Sequence, residues 1–256
     1  MILRKMRLTN FVRGLFILMG SVAILLAAQS ADAELLNTVE LNFQNGSDSG
    51  SFQVAVPEYT DQFQWNLPSA VKVYSTGTGA LLGTIKDLQI TMDGDPGITL
   101  GFNVDATNVA THVTFSSAVL SFAPLTNSQA FASAAITVTD NDGDGATATG
   151  LLPGGTAYQA QYNGGPIFAN LILPVTAPSD GSSTGSDRQP LSGNTAIGTT
   201  FSIHSQFDFM LSANDSASGT SRFNVVAGPN VPEPSTLALA ALGFLGLAFR
   251  GWRRRR

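Results

Sequence analysis

From Val39 to Ala227, apolar and polar residues alternate in short runs. A side-chain period of two commits such a chain to β-strands, each with one dry face and one wet face. The clearest run is Phe201 to Leu211. Phe201, Ile203, Phe207, Phe209 and Leu211 fall on one face; Ser202, His204, Gln206 and Asp208 fall on the other. Val39, Leu41 and Phe43 alternate with Glu40 and Asn42. Phe52, Val54 and Val56 do the same until Pro57 ends the run. Val71 and Val73 make a short third strand, and Leu81 to Ile90 a fourth, weakened by Lys86 and Asp87. Dense turn chemistry at Met92–Gly97 leads into Ile98, Leu100, Phe102 and Val104. Ala132, Ala134, Ile136 and Val138 follow, and Arg222 to Ala227 closes the set. Around ten short strands with regular turns predict an all-β body, an antiparallel β-sandwich or jelly roll. No repeat of fixed length argues for a solenoid or propeller.

Two stretches depart from the pattern. Val113 and Phe115 share one parity, whereas Leu120 and Phe122 have the other. One strand with a β-bulge near Ser116-Ser117 would produce that slip. Pro178 to Gly198 is rich in Ser, Gly, Thr and Asp, with few large apolar residues, and reads as a long surface loop.

Charge is distributed unevenly. The chain has 13 basic and 18 acidic residues. Arg4, Lys5, Arg7 and Arg13 precede the first apolar run; Arg250 and Arg253 to Arg256 follow the last one. Between Glu34 and Asn230 only Lys72, Lys86, Arg188 and Arg222 stand against 16 acidic residues, so the body carries about −12. Such a body repels phosphate backbones, which argues against nucleic acid as a partner. There is no cysteine. That excludes disulfides, thiolate metal sites and a cysteine nucleophile, but a domain of this size builds an adequate core without staples.

Both ends are apolar. Met1 to Arg13 is a basic region, Gly14 to Ala28 an uncharged run, and Ala31-Asp32-Ala33 a small-x-small site. Residues 1–33 therefore read as a secretory signal peptide cut after Ala33, with an uncleaved anchor as the alternative. Residues 34–227 are the β-sandwich body and 228–256 the tail. Pro232 and Pro234 mark where an apolar helix begins. Ser235 to Trp252 covers 18 residues, or about 27 Å of helix, just short of a hydrocarbon core of roughly 30 Å. Cations at both ends stay in the cytoplasm, which places the body on the far side of the membrane.

Val231-Pro232-Glu233-Pro234, the short Leu/Ala/Gly/Phe span and the terminal arginines resemble the PEP-CTERM sorting signal of exopolysaccharide-producing Gram-negative bacteria. The resemblance covers about a tenth of the chain. It implies that the exported protein is held in the inner membrane by its tail. An exosortase-type membrane protease then cuts near the Pro-Glu-Pro motif and releases or transfers it to the cell surface or matrix. The alternative is an ordinary anchor that is never cut.

One internal stretch carries metal chemistry. Asp140, Asp142 and Asp144 occupy positions 1, 3 and 5 of an acidic loop, with Gly145 at position 6. Alternate oxygens at that spacing converge on one calcium ion, and the glycine permits the sharp turn. Position 12 is Leu151, so an EF-hand's bidentate acid is missing. A calcium loop between strands, with a ligand borrowed from elsewhere, remains; so does a plain hairpin tip built from turn residues. Asp93 and Asp95 form a shorter acidic turn. His112 and His204 lie on polar strand faces, and His204, Gln206 and Asp208 line one face in a row that suits a sugar, an ion or solvent. Glu58, Asp61 and Trp65 cluster without a catalytic spacing. No nucleophile elbow, phosphate loop or zinc motif is present. The sequence thus predicts a non-enzymatic cell-surface or matrix protein, structural or adhesive in biofilm or exopolysaccharide. The competing expectation is a secreted carbohydrate-binding module or glycan-active enzyme.

Overall fold

A computed structural model describes residues 38–57 and 62–228. The expected signal peptide, with Ala31 and Ala33, lies outside the described residues. So do the expected membrane span, Val231 to Pro234, Glu58 and Asp61. Among the described residues no helix is long and apolar enough to cross a membrane.

The body is all β, as the alternation requires. Its strands are β1 (Thr38–Asn45), β2 (Asp48–Ala55), β3 (Gln62–Asn66), β4 (Val71–Tyr74) and β5 (Leu81–Asp93). Then come β6 (Gly97–Ala106), β7 (Thr111–Ser116), β8 (Leu120–Thr139), β9 (Ala146–Gly150) and β10 (Tyr158–Tyr162). β11 (Ile167–Leu171), β12 (Val175–Ala177), β13 (Ser182–Gln189), β14 (Thr195–Leu211) and β15 (Ser216–Val226) complete it. All belong to one hydrogen-bonded antiparallel sheet with the order β2-β1-β7-β14-β8-β15-β6-β5-β3. The layers expected of a sandwich are therefore continuous with each other. β14 joins them: Ile203 to Leu211 lie on β10, β7 and β9, whereas Thr195 to Ile203 lie on β8. Long strands that bend from one layer to the next form the corners of such folds.

The sheet curls until its ends approach each other. Thr76 N–H donates to Ser49 O at 3.1 Å, and Ser75 Oγ donates to Asp48 Oδ1 at 3.0 Å. Phe52 and Trp65 meet at 5.9 Å between centroids. Inside, Phe102 of β6 meets Phe115 of β7 and Phe207 and Phe209 of β14, with centroids 6.0, 5.1 and 5.8 Å away. Each fully buried ring or aliphatic side chain contributes about 1.5–3 kcal/mol, which makes this cluster a principal source of stability.

Three expectations need correcting. Val113 and Leu120 do not share a bulged strand: β7 ends at Ser116, and β8 begins at Leu120 with different partners. A bulge does occur in β5, where the register shifts between Ile85 and Asp87, so Ile85 and Leu88 both face inward. The stretch from Pro178 is no simple loop either, because β13 pairs with β8 from Ser182↔Thr139 to Gln189↔Ala132. An edge strand needs backbone partners more than apolar side chains, so its sequence looks like a loop. Finally, Phe201 is 48% exposed rather than inward. The register of β14 on β8 shifts three times between Ala196 and Ser202, and each shift changes which side chains face the core.

Candidate functional site

The acidic loop is a crossover rather than a hairpin tip. β8 before it pairs with β13, β14 and β15; β9 after it pairs with β12 and β14. Gly143 and Gly145 have φ of 93° and 96°, a conformation that favours glycine, and let the chain reverse there. Asp140 is 6% exposed. Its Oδ1 accepts from Gly143 N–H at 3.1 Å and Asp142 N–H at 3.4 Å, and its Oδ2 from Asp180 N–H at 2.5 Å.

Three carboxylates converge, but they are not the three expected from spacing. Asp140, Asp142 and Asp215 each place an oxygen within 4.8 Å of the others. Asp215 replaces Asp144 in that set. It is fully buried at the start of the β15 turn. Its Oδ1 accepts from Asn141 N–H at 3.3 Å, and its Oδ2 accepts from Ser212 Oγ. Asp142 Oδ2 accepts from Asn214 Nδ2 at 2.7 Å. Asn141 ties the two loops together through Asn214 O at 3.2 Å and Ser216 Oγ at 3.0 Å. Asp215 belongs to the short turn between β14 and β15, distant in sequence, whose residues are ordinary turn formers. The β8–β15 and β9–β14 pairings bring it to the loop.

The electrostatics follow from this framework. Burial pushes the Asp140 carboxyl up, but the N–H groups of Asp180, Gly143, Asp142 and Gly145 outweigh it and hold the group below the usual carboxylate range. Asp144 moves the other way. A hydrogen bond with Asp142 and the Asp142 charge raise it first, then burial, Asp140 and Asp215. Among the described residues no lysine or arginine forms an ion pair with these acids. Like charges at ~4 Å repel by about 1 kcal/mol even in water. Oxygen ligands on a hard dication would relieve that repulsion, so Asp140, Asp142 and Asp215 are the residues suited to hold calcium.

The two histidines sit on neighbouring strands, a relation invisible in the sequence. His112 Nε2 of β7 lies 2.6 Å from Asp208 Oδ1 of β14 and 3.2 Å from Thr114 Oγ1. His204 Nε2 of β14 lies 2.9 Å from Ser116 Oγ of β7. Burial holds the His204 imidazole below its usual range, partly opposed by a hydrogen bond with the Ser117 backbone. Serine on imidazole begins a nucleophilic arrangement, but Asp208 engages His112, so no Ser–His–Asp relay forms among the described residues. Trp65 packs on Phe52, and Glu58 and Asp61, expected beside it, lie outside the described residues.

Residues 230–255, which include Val231, Pro232, Glu233 and Pro234, match the PEP-CTERM protein-sorting motif. No curated protein matches the chain. Among solved structures, infectious bursal disease virus strain Gx aligns at 11% identity and TM-score 0.22, over 77% of this chain and 58% of that one. The Endo-D glycoside hydrolase domain from Streptococcus pneumoniae R6 aligns at 10% identity and TM-score 0.20, over 67% and 22%. The chain thus spans less than two thirds of either structure, and scores this low carry no argument about fold or activity. What residues 230–255 add to the β body is a match to the PEP-CTERM sorting motif, and that motif implies export, transit through the membrane and processing by an exosortase.

Proposed function

We propose that the released body belongs to the cell surface or extracellular matrix and has a structural or adhesive role toward exopolysaccharide in biofilm. The observation that carries this reading is the order of parts, an acidic all-β body followed by the sorting motif at residues 230–255. We read the body as non-enzymatic, with calcium at Asp140, Asp142 and Asp215 clamping the β8–β9 loop to the β14–β15 turn. A calcium clamp suits a protein that works outside the cell, where the ion is plentiful.

The second reading is a secreted carbohydrate-binding module or glycan-active enzyme. One observation favours its binding form: Gln53, Glu40, Ser116, Gln206, Gln159 and Asn170 lie side by side across six strands. Rows of amides and hydroxyls on a sheet offer the donors and acceptors that sugar hydroxyls need. Deletion of the gene, followed by fractionation of the biofilm, tests the main reading. The protein is expected in the matrix fraction, and its loss is expected to weaken matrix cohesion. An unchanged biofilm, with the protein confined to the inner membrane, overturns it. Release of saccharide fragments from matrix polysaccharide would favour an enzyme instead.

A further inference from the structure

The outer face of β6, β15, β8 and β13 carries a second feature, unrelated to the acidic loop. Gly101, Thr220 and Ala135 are neighbours across β6, β15 and β8. Their small side chains leave the middle of the face low. Two depressions result, of about 280 and 670 Å³, and both reach Ala135 and Thr220. The smaller is bordered by Asp87, Gln89 and Asn103; the larger by Ser133, Ser186, Arg188 and Arg222.

The two arginines are the unusual part. Only Lys72, Lys86, Arg188 and Arg222 are basic between Glu34 and Asn230, yet two of the four flank a single residue. Ser133 pairs with Arg222 on one side and with Arg188 on the other. Two strand spacings separate them, about 10 Å between backbones, within joint reach of one anionic group. Arg188 Nε donates to Pro190 O at 3.4 Å, and its guanidinium lies 5.0 Å from the centre of the Phe131 ring. Arg222 Nε donates to Asn224 Oδ1 at 2.9 Å. Each guanidinium is therefore held by neutral neighbours. Lys86, by contrast, is paired with Asp105 at 2.7 Å. Among the described residues neither arginine forms an ion pair. Asp187 also borders the depression, and its Oδ1 accepts the Arg188 N–H at 2.7 Å.

We infer that this furrow binds a carboxylated oligosaccharide, with the acid group between Arg188 and Arg222 and neutral hydroxyls along Thr220, Gln89 and Asn103. This rests on the glycan-binding reading above and names the class of glycan. Guanidinium forks match carboxylates in geometry as well as charge. Around the arginines, the hydroxyls of Thr99, Ser133, Ser186 and Thr220 suit sugar hydroxyls, and Ala134, Ala135 and the exposed Leu191 offer apolar surface for the C–H faces of a sugar ring. The body's charge of about −12 opposes any anion at long range, but at physiological salt that field decays over about 8 Å. Local hydrogen bonds act inside that distance and dominate.

The test is titration calorimetry on the full chain in neutral detergent, at physiological salt and with a chelator present so that calcium cannot bridge. The probes are trigalacturonate, its neutral counterpart maltotriose, and inorganic phosphate. Trigalacturonate is expected to bind about ten-fold or more tightly than either other probe, and Arg188→Ala or Arg222→Ala to weaken it by about ten-fold or more. Arg222→Lys, which keeps the charge and loses the fork, is expected to restore only part of the affinity. Equal binding of maltotriose overturns the acidic assignment and leaves glycan binding intact. Equal binding of phosphate shows a generic anion site and overturns it as well. No binding of either sugar defeats both readings. Trigalacturonate binding unchanged in both alanine variants places the site elsewhere.

Discussion

Gly219 and Phe102 face each other across the β15–β6 ladder, and their fit is open to direct measurement. A Cβ at Gly219 would lie 2.5 Å from both Cε1 and Cζ of Phe102, and 3.2 Å from Ala135 O. Ordinary carbon contacts lie near ~3.5–4.0 Å, so the ring would have to retreat by about 1 Å or more. It has nowhere to go, because Phe115, Phe207 and Phe209 surround it. Overpacking of this kind costs about 1–3 kcal/mol. Removing a glycine also restricts the unfolded chain, which returns about 0.4–1 kcal/mol. The clash wins, and Gly219→Ala is expected to destabilise by about 1–2 kcal/mol. For a body of this size that lowers Tm by about 3–6 °C. The discriminating experiment is a double-mutant cycle with Phe102→Leu, read by urea and thermal unfolding. On the smaller side chain, Gly219→Ala is expected to cost about 1 kcal/mol less. Additive effects, or a stabilising Gly219→Ala, would refute the seating of Phe102 over Gly219.

Other outcomes follow from the site geometry. If calcium binds the three-aspartate cluster, a free concentration 100-fold above Kd adds about 2.7 kcal/mol, or roughly 5–10 °C in Tm. Asp215→Asn is expected to abolish that shift, and Asp144→Asn to leave most of it; identical melting with calcium and with chelator removes calcium from the account. His204 is held below its usual range, so the unfolded chain binds a proton that the folded one refuses. Stability is then expected to fall as pH drops through about 6.5 toward the folded value, and His204→Gln to flatten that part of the Tm–pH curve. Asp140 acts in the same direction at lower pH. Its contribution is present above the ordinary carboxylate range and is lost as pH falls through its lowered value, a loss absent from Asp140→Asn. Gly150→Ala is expected to be far harsher than Gly219→Ala, because the new Cβ would lie 2.1 Å from backbone C of Thr156 and no rotamer change relieves that.

The legibility of this fold varied with where the information resides. β1 and β6 could be read directly, since Val39, Leu41 and Phe43, and Ile98, Leu100 and Val104, are buried in strict alternation. β13 could not, because Ser182 to Gln189 is polar on both faces and is held by its ladder to β8. The inward face of β14 could be read from Ile203 onward. It failed at Phe201, because register shifts depend on the partner strand and leave no mark on hydropathy. The same division applies to the acidic site. Asp140 and Asp142 announce themselves by spacing, whereas Asp215 binds Asn141 across 74 residues of sequence. The arginine pair was likewise hidden, since Arg188 and Arg222 become neighbours only through β8.

The sorting motif bears most of the functional account, and its reading can be tested in the producing cell. An epitope-tagged chain would be followed by fractionation and mass spectrometry of its C-terminal end, beside a variant with Pro232→Ala, Glu233→Ala and Pro234→Ala. The wild-type chain is expected outside the inner membrane and trimmed near Val231 to Pro234, and the variant intact in that membrane. Release and trimming of the variant at the wild-type level would contradict the account.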